Sequence, residues 1–282
     1  MTGLDLRPLS LGEILDRTFT LYRRNFLLFM GIAGIPALLP LALNLVQLFS
    51  GNAAVYGQAP ARNPLASIPL LLISMFVGLV AYLFSQGGTI LAVTDLYLGR
   101  ETGIGQSFGR MSGNLLSLLG VVLLNGVVIG LGMLALLIPG IYLACRLLVC
   151  VPAALIEDRG PRESLSRSFE LTRDSAGRAF LILVLNAILA IAISSTFTFP
   201  FLLAVGLTAQ QHNPGLTRML TALMQVSATI GSVLVTPILL IATSVFYFDL
   251  RVRKEGFDLQ FMLDPTSERV TRSQGSMPSI LS

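Results

Sequence analysis

The chain has 282 residues, of which 54% are hydrophobic and only 12% charged, with a formal net charge of +4. Soluble globular domains carry about 25% charged residues, so this composition and a mean hydropathy of +0.77 exclude an ordinary soluble enzyme, a disordered tail protein and a nucleic-acid binder. A polytopic membrane protein remains, because only a bilayer accommodates so much apolar surface.

In chain order, the first predicted element is a surface helix over 10–24. Ser10-Leu-Gly-Glu13 is a capping box, in which Ser10 accepts from a first-turn amide and Glu13 reaches back to the cap. Leu11, Leu15, Thr18/Phe19 and Tyr22 then recur at helical spacing, with Glu13, Asp16, Arg17 and Arg24 on other faces. A first span follows at Phe26–Phe49, carrying Pro36 and Pro40. Its apolar run exceeds that of a signal peptide, and Asp5, Glu13 and Asp16 precede it, so it is expected to be a retained helix. The second span is Ala66–Val93. Leu115–Leu137 and a short Ile141–Ile156 form the third and fourth, divided by a predicted turn at Ile138–Pro139–Gly140. Cys145 and Cys150 lie five apart in that fourth run, where helical geometry turns them away from each other, so they read as buried apolar residues. A second surface helix occupies 160–180. The fifth and sixth spans are Ala179–Leu207, with Pro200, and Leu220–Phe248, with Pro237. The Ser-rich tail at 265–282 is expected to be flexible and cytoplasmic.

Basic residues orient these spans. Sixteen of the nineteen fall in segments 1–25, 98–113, 157–178 and 250–282, whereas Arg62 and Arg218 sit in the opposite loops and Arg146 lies inside a span. All fifteen acidic residues share the arginine-rich side or its edge. Both termini are therefore expected to be cytoplasmic, in a bacterial plasma membrane.

Two segments repeat. LDRTFTLYR at 15–23 and LSRSFELTR at 165–173 both read Leu-x-Arg-[Ser/Thr]-Phe-x-Leu-x-Arg and both lead into a span; QSFGRMSGN at 106–114 is a weaker third copy. Asp95–Leu96 before Arg100–Glu101 is matched by Asp249–Leu250 before Lys254–Glu255. The predicted architecture is all-α: one membrane domain over 1–264, with six transmembrane helices in three hairpin units (about 8–97, 100–156 and 160–250). Each unit is preceded by a cytoplasmic amphipathic interfacial helix. In that arrangement Phe19 and Phe169 point inward, while Arg17, Arg23, Arg167 and Arg173 face anionic headgroups. The helices serve either as topological anchors or as a collar that gates a path or docks a protein partner.

Arg146 is the sharpest single residue. At about ten residues from the end of its span it would lie roughly 15 Å deep, at an apparent insertion cost of about 2.5–3.5 kcal/mol. It requires an acceptor, with Asp95 and Asp249 the acidic candidates and Asn125, Asn186, Gln86 and Gln225 the neutral ones. Two roles stay open for this polar set: a clamp between helices, or an anion or lipid-phosphate site. The span prolines read as kinks or, less directly, as markers of a transport path, and 194–200 (SSTFTFP) is polar enough to line a cavity. No HExxH or Walker pattern occurs, and the one histidine, His212, falls in an outward loop. No metal, cofactor, nucleic acid or catalytic step is expected.

The stretches LRPLSLGEILDRTFTLYRRNFLLF, IPGIYLACRLLVCVPAALIED with ESLSRSFELTR, and YFDLRVRKEGFDLQ resemble a bacterial family. It is that of the membrane domain of glycerophosphoryl diester phosphodiesterase, with related six-helix integral membrane proteins. The resemblance runs from about Leu6 to Leu263 and implies the membrane module alone. The family's soluble phosphodiesterase domain uses histidine and metal-binding carboxylates; this chain has one outward histidine and is expected to lack that domain, so the resemblance does not extend to that activity. It leaves a transport-associated, membrane-organising or scaffolding role, or a permease-like or lipid-handling carrier centred on Arg146.

Overall fold

The computed structural model of the protein describes residues 9–50, 64–210 and 213–256. Arg62, His212 and the 265–282 tail lie outside the described residues. Every regular element within them is helical, and six stretches are long and apolar enough to cross a membrane: Phe26–Phe49, Ile68–Tyr97, Leu115–Ala135, Leu137–Glu157, Ala176–Thr208 and Pro214–Glu255. The protein is an all-α, multi-pass membrane protein.

Helix α1 (Leu11–Arg24) opens on the capping box expected at Ser10: Glu13 donates its amide to Ser10 Oγ at 3.4 Å, and Ser10 donates its own to Glu13 at 2.7 Å. A single residue, Asn25, separates it from α2 (Phe26–Phe49). The second span is α3 (Pro64–Tyr97), followed by a short α4 (Ile104–Gly113) and then by α5 (Leu115–Ala135). These limits fall within a few residues of the hydropathy limits, because twenty or so apolar residues have no other way to satisfy their backbone inside a bilayer.

The fourth span departs from expectation. The turn lies not at Ile138–Gly140 but one residue before Leu137, where Leu136 takes an extended conformation (φ −165°, ψ 147°). Pro139 and Gly140 stand in the first turn of α6 (Leu137–Arg146), where a missing amide costs nothing because no partner exists for it. Gly140 is needed for contact: a Cβ there would come within 2.7 Å of the Met133 backbone. Helix α6 then stops at Arg146, and after Leu147–Val149 a second short helix, α7 (Cys150–Glu157), completes the span. The expected single helix is two half-helices.

Helix α8 (Pro161–Leu171) follows, then the long α9 (Ala176–Gln210) and α10 (Pro214–Glu255). Consecutive spans pack together as α2 on α3, α5 on α6 and α9 on α10, and α10 also packs on α1, α2 and α3. Its stretch 240–250 is wholly buried, with Phe246, Tyr247 and Phe248 among the largest enclosed side chains. Phe248 stacks on Tyr97 with centroids 4.6 Å apart, and Phe29, Ile32, Val93 and Ile182 close round them. A second cluster joins α3, α4, α5 and α7 through Leu83, Ile90, Met111, Leu118 and Cys150. Both cysteines are free and buried. Leu38, Val46, Leu71, Met75, Ile188 and Ile191 are exposed, the pattern of walls facing hydrocarbon rather than water.

Candidate functional site

The charged side chains assemble at the end of the bundle where α1 begins and α10 ends. Asp249, its carboxylate fully enclosed, accepts from the Leu9 amide at 2.6 Å, from Arg178 at 2.9 Å and from Arg253 Nε at 3.1 Å. Arg178 and Arg253 each donate a further bond to the Leu9 carbonyl, at 2.8 and 2.6 Å. The backbone of Leu9 is thus held at both polar groups, and the start of α1 is fastened to α9 and α10. Charge-assisted bonds of this kind are about twice as strong as neutral ones. Asp95, at the equivalent repeat position, pairs instead with Arg110 of α4.

A second cluster centres on Arg167 of α8, which is only 9% exposed. Its Nε bonds both oxygens of Glu157 at 2.9 and 3.0 Å, and its outer nitrogen pairs with Glu255. Glu157 also accepts from Tyr247 at 2.8 Å and pairs with Arg159 at 2.6 Å, while Arg251 pairs with Glu255. Burial alone would lower the Arg167 pKa, but the hydrogen bonds and charges of Glu157 and Glu255 outweigh it and hold the guanidinium above its ordinary value. The Arg167 expected at the headgroups is therefore an internal strut tying α7, α8 and α10. Its counterpart Arg17 is half-buried and donates to Tyr97 at 3.2 Å. Arg23 and Arg173 are exposed, Phe19 is 40% exposed, and Phe169 is half-buried.

Arg146 is satisfied by neither aspartate. Its guanidinium donates to the Phe169 carbonyl at 2.7 Å and lies 5.3 and 5.9 Å from the Phe169 and Tyr142 ring centroids. It stands in the last turn of α6, whose end carries partial negative charge, and Phe169 belongs to the last turn of α8, which carries the same. Two helix ends thus supply the counter-charge that a carboxylate would. The Arg146 carbonyl, left without an intrahelical partner by the break, accepts from Ser168 at 2.8 Å and Thr172 at 2.9 Å. One nitrogen, Nε, is buried with no hydrogen-bond partner among the described residues, as are Asn125 Oδ1, Asn186 Oδ1, Gln86 Oε1 and Gln225 Oε1. The structure does not gather Arg146, Asp95, Asp249, Asn125 and Asn186 into one site: Arg146 stands at the break, Asp249 in the Leu9 clasp and Asp95 in its pair with Arg110, and the two asparagines join none of these. The sequence reading missed Leu9, Glu157 and Arg178. Leu9 acts through its backbone, which carries no residue signal, and Glu157 could have been singled out as the acid closing an apolar span.

Among the described residues no group of three His, Cys, Asp or Glu side chains is placed to hold a metal. Comparisons with curated proteins and with solved structures give no match. Residues 118–273, which run from within α5 through both half-helices, the Arg167 strut and all of α10, match the family model of the membrane domain of glycerophosphoryl diester phosphodiesterase; the protein belongs to that family.

Proposed function

We propose that this is a bacterial plasma-membrane protein with both termini cytoplasmic, acting without a catalytic step as a membrane-organising, transport-associated or scaffolding component. The observation that carries the reading is the engagement of its acidic groups. Asp95, Glu157, Asp249 and Glu255 all join one helix to another at the arginine-rich end, which suits a stiff platform. Exposed Arg23, Arg24 and Arg173 add cations to the outer surface of that platform, among exposed acids such as Asp16, Glu163 and Glu170, and are suited to anionic headgroups and to an acidic segment of a protein partner. Reporter fusions after α10 and in the 51–63 segment test the orientation, and a periplasmic carboxyl end would sink it. Reversing the charge of Arg23, Arg24 and Arg173 should release a cross-linked cytoplasmic partner while leaving thermal stability unchanged. An unchanged cross-link pattern counts against the platform.

A second reading, a carrier or lipid-handling protein with an anion site at Arg146, is favoured by the partnerless Nε and by the absence of a carboxylate partner for Arg146 among the described residues. It predicts that Arg146→Ala inserts normally and loses a co-purified anionic lipid or solute. A clamp instead predicts a loss of stability with bound species unchanged.

A further inference from the structure

The prolines of α2 accompany a groove that none of the polar clusters uses. Pro36 lacks the amide that would hold the preceding turn, and beside it a cavity of about 510 Å³ opens between α2 and α3. Its walls are Ile35, Pro36 and Leu39 on one side and Phe76, Val77, Val80, Ala81 and Phe84 on the other. Phe108 of α4 closes one end, edge-on to Phe84 with centroids 5.9 Å apart. Gly31 leaves room for the side-chain tip of Ile104 at the start of α4, which a Cβ there would push aside.

We propose that this groove binds one acyl chain of an anionic phospholipid. The wall is apolar throughout and belongs to two membrane spans, so water has no hydrogen-bond partners there and hydrocarbon is the medium in contact with it. The volume lies within the range of small-ligand sites, about 300–1,000 Å³. Charge selects the headgroup. Arg23 and Arg24 are exposed at the end of α1, immediately before α2, and neither has an ion-pair partner among the described residues. From Phe26 to Ile35 is nine residues, about 13 Å along the helix at 1.5 Å per residue. A phosphate held by those arginines would therefore lower its chain into the groove, at the depth of the inner half of a leaflet whose hydrocarbon is about 15 Å thick. The leaflet is cytoplasmic on the orientation proposed above; chain binding itself does not depend on that orientation.

The test uses the full chain in vesicles of phosphatidylglycerol carrying a small fraction of the same lipid with a diazirine near the end of one chain. After irradiation, adducts mapped by mass spectrometry should be enriched about tenfold on the 76–84 segment over Ile188 and Ile191 of α9, which face lipid without a groove. Ala81→Trp should fill the groove and abolish the enrichment. In vesicles mixed equally with phosphatidylcholine, Arg23→Glu with Arg24→Glu should remove the preference for the anionic probe. Equal labelling of α3 and α9, or enrichment that survives Ala81→Trp, overturns the site; if that variant does not insert, the wild-type map decides. Unchanged headgroup preference in the double arginine variant overturns the phosphate contact. Reporter fusions fail separately, since they read orientation and not occupancy.

Discussion

Helices α1 and α8 carry the same nine-residue pattern and use it differently. In α8 the arginine is enclosed and bonded to two acids from two other helices, and its serine and threonine hydroxyls fill the carbonyl left open where α6 stops. In α1 the matching Thr18 bonds its own helix, Arg17 donates to the Tyr97 phenol of α3, and Tyr22, the counterpart of Thr172, reaches a backbone carbonyl of α10. That bond is nonetheless informative. Tyr22 donates to the Leu234 carbonyl at 2.9 Å within the continuous α10, one residue from Val233, whose carbonyl loses its donor at Pro237, whereas Thr172 donates to Arg146 at the break of span four. The motif specifies a helix with a hydroxyl at one position; the backbone of the neighbouring helix decides what that hydroxyl does. Burial raises the pKa of the Tyr22 phenol, so it remains a donor across the working pH range.

Substitutions can break or sharpen this asymmetry. The largest effect is expected from Arg167→Ala, which removes the cation shared by Glu157 and Glu255, leaves them to Arg159, Tyr247 and Arg251, and should cost about 3 kcal/mol in a reversible SDS-unfolding titration. Asp249→Asn comes next at about 2–3 kcal/mol, since Arg178 and Arg253 retain some access to solvent; limited proteolysis should then cut near Leu9 faster. Ser168→Ala with Thr172→Val leaves the Arg146 carbonyl without its two hydroxyl donors, for about 1–3 kcal/mol. Tyr22→Phe should cost about 1 kcal/mol. Arg17→Ala should fall at or below about 1 kcal/mol, the smallest of the series. If Arg17→Ala destabilises as much as Arg167→Ala, the two copies are equivalent after all and the contrast is lost.

Five of the six spans were legible in the sequence, four to within about four residues and the sixth short by six at its start and seven at its end, because hydropathy reports the apolar core of a helix and not its polar ends. The fourth was legible only as an apolar run. Leu147, Leu148 and Val149 carry no local reason to interrupt a helix; Ser168 and Thr172, more than twenty residues on, satisfy the carbonyl that the interruption exposes. Pro139–Gly140 misled because proline is read as a breaker, whereas at a helix start it is harmless. Arg146 was legible as a charge in need of an acceptor. Its partners were not, being a backbone carbonyl and two ring faces rather than the acids that a charge argument favours. The clasp at Leu9 joins residues 240 positions apart through a main-chain amide, which no side-chain pattern announces.

That clasp sets an order of assembly. The ribosome delivers α1 and α2 long before α10, so Asp249 and Arg253, two of the three side chains that grip Leu9, do not exist while the first five spans enter the membrane. Closure of the amino end therefore waits for the sixth span, and a nascent chain halted before Asp249 holds Leu9 by Arg178 at most, its α1 open to whatever inspects unfinished membrane proteins.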